Sequence, residues 1–293
     1  MRLLIAGWRG QVARALIEAA PSRPEIKALA AGRPALDVRD PRSIERAFGD
    51  ISPDIVINSA AYTAVDQAEA DEDAAFALNR DGAALLARAA ARRNVPVIHL
   101  STHYVFDGAK PSPYIESDET CPATVFGRSK LEGERAVRGA NPRHIIIRTG
   151  WVFSPAKGTF AEKILEAADR GEIVRVVADQ HGNPTYAPHL ASAILDVARG
   201  IGTSEMEPAW GTYHAAGSGT ASWHDFAREI VIQAPNALPR LIEPITSSEY
   251  PAVAPRPLNS ELDCEKFERT FGLRLPAWQQ GVADCVGQLL SLH

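Results

Sequence analysis

Arg2-Leu3-Leu4-Ile5-Ala6-Gly7-Trp8-Arg9-Gly10-Gln11-Val12-Ala13 is the stretch that decides the fold. Its opening is a short apolar run without polar alternation, the pattern of a strand buried on both faces. The run passes into two glycines and then into a helical pattern that continues through Ala20. Gly7 permits a tight turn, Gly10 lets backbone approach a pyrophosphate, and Ala13 is small where the helix meets the sheet. With Gly-x-x-Gly-x-x-Ala spacing, this reads as a dinucleotide loop; a ligand-free strand-to-helix turn is the alternative.

Outward from that loop, a second strand is expected near Ile26 to Ala30. Folds that select NAD place an acidic residue at the end of this strand, against the ribose 2′-hydroxyl. Here the end reads Ala30-Ala31-Gly32-Arg33, so NADPH is allowed alongside NADH; Arg33 is either a 2′-phosphate ligand or a solvated loop charge. Asp37-Val38 precedes a helix expected to start at Asp40-Pro41, a cap followed by a first-turn proline. Ile55 to Asn58 reads as a buried strand, left through Ser59-Ala60-Ala61-Tyr62-Thr63, whose small residues suit either a close cofactor or ordinary packing. The acidic run Asp66 to Asp73 is expected to open one long helix reaching Arg93, with Asn79 inside it bonding backbone near the cofactor or serving a polar contact.

Val95 to Leu100 is a further strand pattern, and Ser101 and Thr102 stand at its end, where open α/β sheets bind ligands. A helix is expected from Thr124 to Gly139, with Phe126 and Lys130 four residues apart on one face. His144 to Arg148 supplies another strand. Strands alternating with helices imply a Rossmann-like, doubly wound parallel sheet. Residues 1–157 are expected to form the dinucleotide-binding domain, with room for later segments to return to it. Residues 158–293 are expected to form a smaller C-terminal α/β substrate lobe. Its helices are placed at Thr159 to Arg170, His189 to Arg199 and Ser222 to Gln233, and its strands at Ile173 to Val177 and Gly211 to Ala215.

The 293 residues are 45% hydrophobic and 23% charged, enough for a full core. A net charge of −5 with no basic run points away from nucleic acid and from an anionic membrane surface. No apolar segment approaches the roughly 20 residues of a membrane span, and the chain enters strand pattern at once without a signal-peptide pattern, so a cytoplasmic location is expected. Cys121, Cys264 and Cys285 lie far apart, and the eight histidines form no ligand spacing, so neither a disulfide framework nor a metal site is expected.

The stretches NSAAYTAVDQAE, STHYVFDG, FGRSKLEGE, RTGWVFS, VVADQHGNPTYA, YHAAGSGTASWHDFA, ITSSEYP, RPLNSEL and FGLRLPAW, in this order along the chain, resemble the dTDP-4-dehydrorhamnose reductase family of the extended short-chain dehydrogenase/reductase superfamily. The resemblance implies NAD(P)H-dependent reduction of the C4 ketone of a nucleotide sugar, dTDP-4-dehydro-L-rhamnose, to dTDP-L-rhamnose. By position it places Gly10, Gln11 and Val12 at the pyrophosphate, Asp37 and Val38 on the adenine side, and Ala61, Tyr62 and Thr63 at the middle of the cofactor. It places Lys130 on the nicotinamide ribose, Thr102 on the sugar carbonyl, Trp151 on the deoxysugar and Arg256 near the diphosphate; without it, Trp151 reads as plain core. A homodimer and a bound magnesium ion are implied by the resemblance alone.

Two residues depart from the family pattern: His103 stands where it has Asp, and Phe126 stands where it has the proton-donating Tyr of Tyr-x-x-x-Lys. A phenyl ring has no proton to give an alkoxide. One reading is a reductase in which His103 or water delivers the proton; another is a weak or inactive homologue that binds dinucleotide or nucleotide sugar as a scaffold or regulator. A third is an engineered loss of the tyrosine. Among related chemistries, a nucleotide-sugar epimerase is the runner-up.

Overall fold

The computed structural model describes residues 1–203, 209–235 and 241–291. The chain begins β1 (Arg2–Ala6), α1 (Gln11–Ala19), β2 (Lys27–Ala31), α2 (Pro41–Ile51) and β3 (Ile55–Asn58). It continues through α3 (Val65–Ala70), α4 (Glu72–Phe76), α5 (Ala83–Ala91), β4 (Val97–Thr102), α6 (Val125–Ala140) and β5 (His144–Thr149), and a sixth strand, β6 (Gly211–His214), arrives later. All six strands pair in parallel, in the order β6-β5-β4-β3-β1-β2. The strand order reverses between β1 and β3, and a crevice outside the strand ends at such a reversal is where this architecture takes ligands.

The apolar runs fill both faces of the sheet because successive side chains point opposite ways. Leu3 and Ile5 of β1 join Ile55 and Ile57 in a core under α1 and α8 (Ala187–Thr203). Leu4, Ala6 and Val56 join Phe48 and Leu86 in the core on the other side. Asp40 caps α2 by accepting the Arg42 N–H at 2.9 Å, with Pro41 in the first turn. Thr124 caps α6 in the same way, accepting from Gly127 N at 3.0 Å.

One expectation is corrected. The acidic segment does not open a single helix to Arg93: α3 ends at Ala70, Asp71 turns to φ −132°, and its carboxylate accepts the Ala74 N–H to start α4. A π turn over Ala77–Gly82 then leads into α5.

Beyond β5 the pairing is short and long-range. Val152–Phe153 pairs with Thr185–Tyr186, Val174–Val177 with Ile242–Ile245, and His181–Gly182 with Ala221–Ser222. α7 (Phe160–Asp169), α9 (Trp223–Ile232) and α10 (Trp278–Ser291) enclose a third core with Phe153, Phe226 and Val282. The lobe also returns residues to the central sheet: β6 lines up with β5, and Leu190 and Ile194 of α8 share a core with Leu16 of α1.

Candidate active site

Two hollows open at the strand ends, one on each side of β4. The first, about 780 Å³, lies at the β1–β3 reversal and is lined by Gly7, Gly10, Gly32, Arg33, Asp37, Val38 and Ala60 to Thr63. Gly7 sits at φ +95°, and a Cβ there would lie 3.0 Å from both Ala60 N and Ser59 Oγ. Glycine is therefore required twice, by backbone conformation and by the closeness of the β3 exit. α1 starts at Gly10 without a side-chain cap, so its first amides, including those of Gln11 and Val12, are left to a ligand or water. That cradle of free amides fits a dinucleotide pyrophosphate.

Other residues of the groove are already engaged. The Gln11 side chain donates to Val152 O at 3.2 Å and accepts from Ser154 Oγ at 2.6 Å, so only its backbone remains for a phosphate. The Trp8 indole lies where a Cβ on Gly32 would go, 2.1 Å from its Cδ1, and the Arg9 guanidinium sits 4.6 Å from the Trp8 ring centroid. Asp37 pairs with Arg39 at 3.0 Å, and that hydrogen bond, against some desolvation, holds its carboxyl below the usual range. Asn79 bonds backbone beside the groove: its Oδ1 accepts Tyr62 N at 2.8 Å and its Nδ2 donates to Tyr62 O at 3.1 Å. The same Nδ2 reaches Ser129 Oγ at 2.9 Å, and Ser129 in turn donates to Phe126 O at 2.8 Å. Asn79 thus straps the Ala61 to Thr63 loop to α6.

α6 carries the aromatic and the lysine singled out in the sequence. Phe126 and Lys130 lie one turn apart and both are buried. Lys130 Nζ donates to Leu100 O at 2.6 Å, which points the ammonium at the end of β4. Burial pushes its pKa down to about 8, while the charge of Glu134 acts in the opposite direction. Glu134, one turn further on and wholly buried, accepts Ser101 Oγ at 2.5 Å and both Nε and Nη2 of Arg148 at 2.9 and 2.8 Å. Such a bidentate pair is sound only while complete, because removing one partner strands a buried charge. Thr102 accepts the Tyr104 N–H at 3.2 Å through Oγ1, which leaves its own O–H free to donate.

The second hollow, about 420 Å³, is lined by His103, Tyr104, Trp151, Trp223, Phe160, Tyr250 and Arg256, among others. Trp151 is not plain core. It stands at φ +46°, donates Nε1–H to Ser260 Oγ at 3.1 Å, and stacks on Trp223 with centroids 3.9 Å apart. Arg256 is held by Asp66 at 2.7 Å and donates to Ala254 O at 3.0 Å, so it enters the pocket with one carboxylate already beside it. His103 lies against Gly150, where a Cβ would come 2.4 Å from its Nδ1, and that nitrogen has no hydrogen-bond partner among the described residues. Burial pushes its pKa down to about 4, with the Thr149 backbone opposing, so at neutral pH the ring is uncharged. That weakens the sequence-based reading of His103 as the proton source, since an uncharged imidazole is a poor acid.

Sequence reasoning missed Tyr104, Trp223 and the Glu134–Arg148 pair. Trp223 and Tyr104 lay inside quoted motifs but carried no spacing signal, and Glu134 reads as one more helical surface charge.

Comparison with known proteins agrees with this layout. The family model described as the RmlD substrate binding domain matches residues 1–291. The chain is 48% identical over 292 residues to the dTDP-4-dehydrorhamnose reductase of Sinorhizobium fredii, covering 99% of this chain and 98% of that one. It is 40% identical over 306 residues to the enzyme of that name from Burkholderia thailandensis, covering 99% and 100%. Among solved structures, the dTDP-4-dehydrorhamnose reductase of Bacillus anthracis, in complex with NADP, superposes with a TM-score of 0.90 at 30% identity, covering 98% of this chain and 99% of that one. With its sheet order, dinucleotide cradle and full-length matches together, the chain belongs to the dTDP-4-dehydrorhamnose reductase family.

Proposed function

We propose that the protein reduces the C4 ketone of dTDP-4-dehydro-L-rhamnose to dTDP-L-rhamnose, in the cytoplasm, with the central sheet holding NADPH or NADH and residues 158–293 supplying most of the nucleotide-sugar pocket. One observation carries this reading: Tyr62 of the dinucleotide groove and Tyr104 of the aromatic pocket pack on the same small cluster that contains Phe126. Two binding hollows thus converge on the face of α6 that bears Lys130. NADPH, when bound, supplies the hydride. The Thr102 O–H donates to the ketone oxygen and keeps it oriented, and the Lys130 ammonium holds the nicotinamide ribose. Arg256 shares its fork between Asp66 and a phosphate oxygen of the sugar nucleotide. Asp37 is neutralised by Arg39 and Arg33 lines the same groove, which favours NADPH at least as much as NADH. The epimerase reading draws less support, since the full-length relatives at 48% and 40% identity bear the reductase name.

Phe126 is the specific observation behind a second reading, a binder that does not turn over. Oxidation of NADPH, and separately of NADH, on adding dTDP-4-dehydrorhamnose separates the two. Steady turnover with NADPH at least equal to NADH is expected. Thermal protection by NADPH and by dTDP-rhamnose with no oxidation of either cofactor would establish the binder instead.

A further inference from the structure

Reduction of a ketone leaves an alkoxide, and α6 offers no phenol to protonate it, because the residue one turn before Lys130 is Phe126. Four other groups near that position can be weighed. Thr102 is a very weak acid and is better suited to hydrogen bonding. Lys130 is buried, donates to Leu100 O and is assigned above to the nicotinamide ribose. His103 is uncharged at neutral pH. The fourth is Tyr104.

Tyr104 is placed for the task by two contacts. Its backbone N–H binds Thr102 Oγ1 at 3.2 Å, so it follows directly on the hydroxyl proposed to hold the ketone. Its ring meets the Phe126 ring edge-on, with centroids 5.5 Å apart, so a phenol-bearing ring packs directly against the phenyl that lacks a hydroxyl. It lines the substrate pocket together with Trp151 and Arg256. Among the described residues its hydroxyl takes no hydrogen-bond partner. The remaining phenols near the two hollows are worse placed: Tyr62 lines the dinucleotide groove, and Tyr250 is 53% exposed in the loop that follows Ser247–Glu249.

We propose that Tyr104 is the proton donor of this chain, replacing the phenol that Phe126 lacks; the inference rests on the reductase reading above. A hydrogen and its electron pair pass from the dihydronicotinamide to sugar C4, the π electrons of the C=O bond move to oxygen, and the cofactor leaves oxidised. The oxygen takes the Tyr104 proton, and the phenolate recovers a proton from water entering the pocket. Burial pushes the Tyr104 pKa up, while the Arg256 charge pulls it back and Asp66 opposes that pull. The phenol therefore stays protonated through neutral pH and is available to give.

The test is a double-mutant cycle with Tyr104→Phe, Phe126→Tyr and both together, read by kcat, KM and calorimetric binding of dTDP-rhamnose. Tyr104→Phe alone is expected to lower kcat by about 10²-fold, the usual worth of a placed general acid, with product affinity kept within about threefold. In the Phe126→Tyr background the same change is expected to cost no more than about threefold, because a second phenol then serves. Phe126→Tyr alone is expected to raise kcat by no more than about tenfold. An equal loss from Tyr104→Phe in both backgrounds, or a loss confined to KM and product affinity, would make Tyr104 a binding residue and overturn the proposal. Turnover untouched by Tyr104→Phe would overturn it too, while leaving the reductase reading intact. If no member of the cycle oxidises NADPH, including Phe126→Tyr, the reductase reading itself fails and the proposal falls with it.

Discussion

The groove outside β1 and β3 and the aromatic pocket outside β4 and β5 are built in opposite ways. The groove depends on things left out: no Cβ on Gly7, and small residues where β3 ends. The pocket is made by things put in: Trp151 stacked on Trp223, with Phe160, Tyr104 and Tyr250 around them. At Gly7 bare backbone forms the first wall, whereas stacked aromatic side chains form the second. The groove should therefore fail when atoms are added, and the pocket when atoms are removed.

The largest effect is expected from Gly7→Val. At φ +95° a branched side chain is strained, and its Cβ meets the backbone of Ala60, which has nowhere to go. NADPH affinity should fall more than about 100-fold, near 3 kcal/mol, with dTDP-rhamnose affinity held within about threefold. Calorimetry with each ligand is the check; a comparable loss for both would dissolve the distinction between the two walls.

The next effect concerns acid. His103 sits on the pocket side with its pKa at about 4, against an ordinary value near 6.5 in the unfolded chain. Between those values the unfolded state binds the extra proton, so stability is complete above about pH 6.5 and declines as pH falls toward 4, by about 1.4 kcal/mol per pH unit. Buried His99 and His214 add to the same slope. His103→Asn should melt closer to its neutral-pH temperature at pH 5.5 than the unaltered chain does. The same burial implies no inflection in kcat between pH 6 and 8 that vanishes with His103→Asn; finding one would return His103 to the chemistry.

The smallest effect is expected from Trp223→Ala. Stripping one face of Trp151 should raise the KM for the nucleotide sugar roughly tenfold, about 1.4 kcal/mol, a range typical of lost aromatic stacking, and leave NADPH binding as it was. A change in NADPH affinity of similar size would show that the stack also shapes the groove.

The same contrast explains what was legible. Strand β3 runs over Ile55–Asn58 as its apolar run implied, and β1 likewise over Arg2–Ala6, because strands buried on both faces announce themselves by composition. The Asp40-Pro41 start of α2 was legible because capping is local. The break at Asp71 was not, since no glycine or proline marks it and the acidic helical pattern runs on through it. The pocket was legible only through resemblance. Arg256 reaches its partner Asp66 across 190 residues, and the Trp151 stack joins the turn after β5 to the first residue of α9, a closeness no periodicity encodes. His103 shows the limit on the chemical side: its residue type suggests an acid, and its burial against Gly150, which pushes its pKa down, weighs against that role.

The strap made by Asn79 has a consequence for how such an enzyme changes its substrate. It fastens the Tyr62 loop to the helix bearing Phe126 and Lys130 through bonds that use neither Trp223 nor Tyr250. The Tyr62 loop and the Lys130 helix, both proposed to hold the cofactor, are thereby tied to one another by hydrogen bonds of their own. The aromatic wall is free to be rebuilt for another sugar without disturbing those bonds.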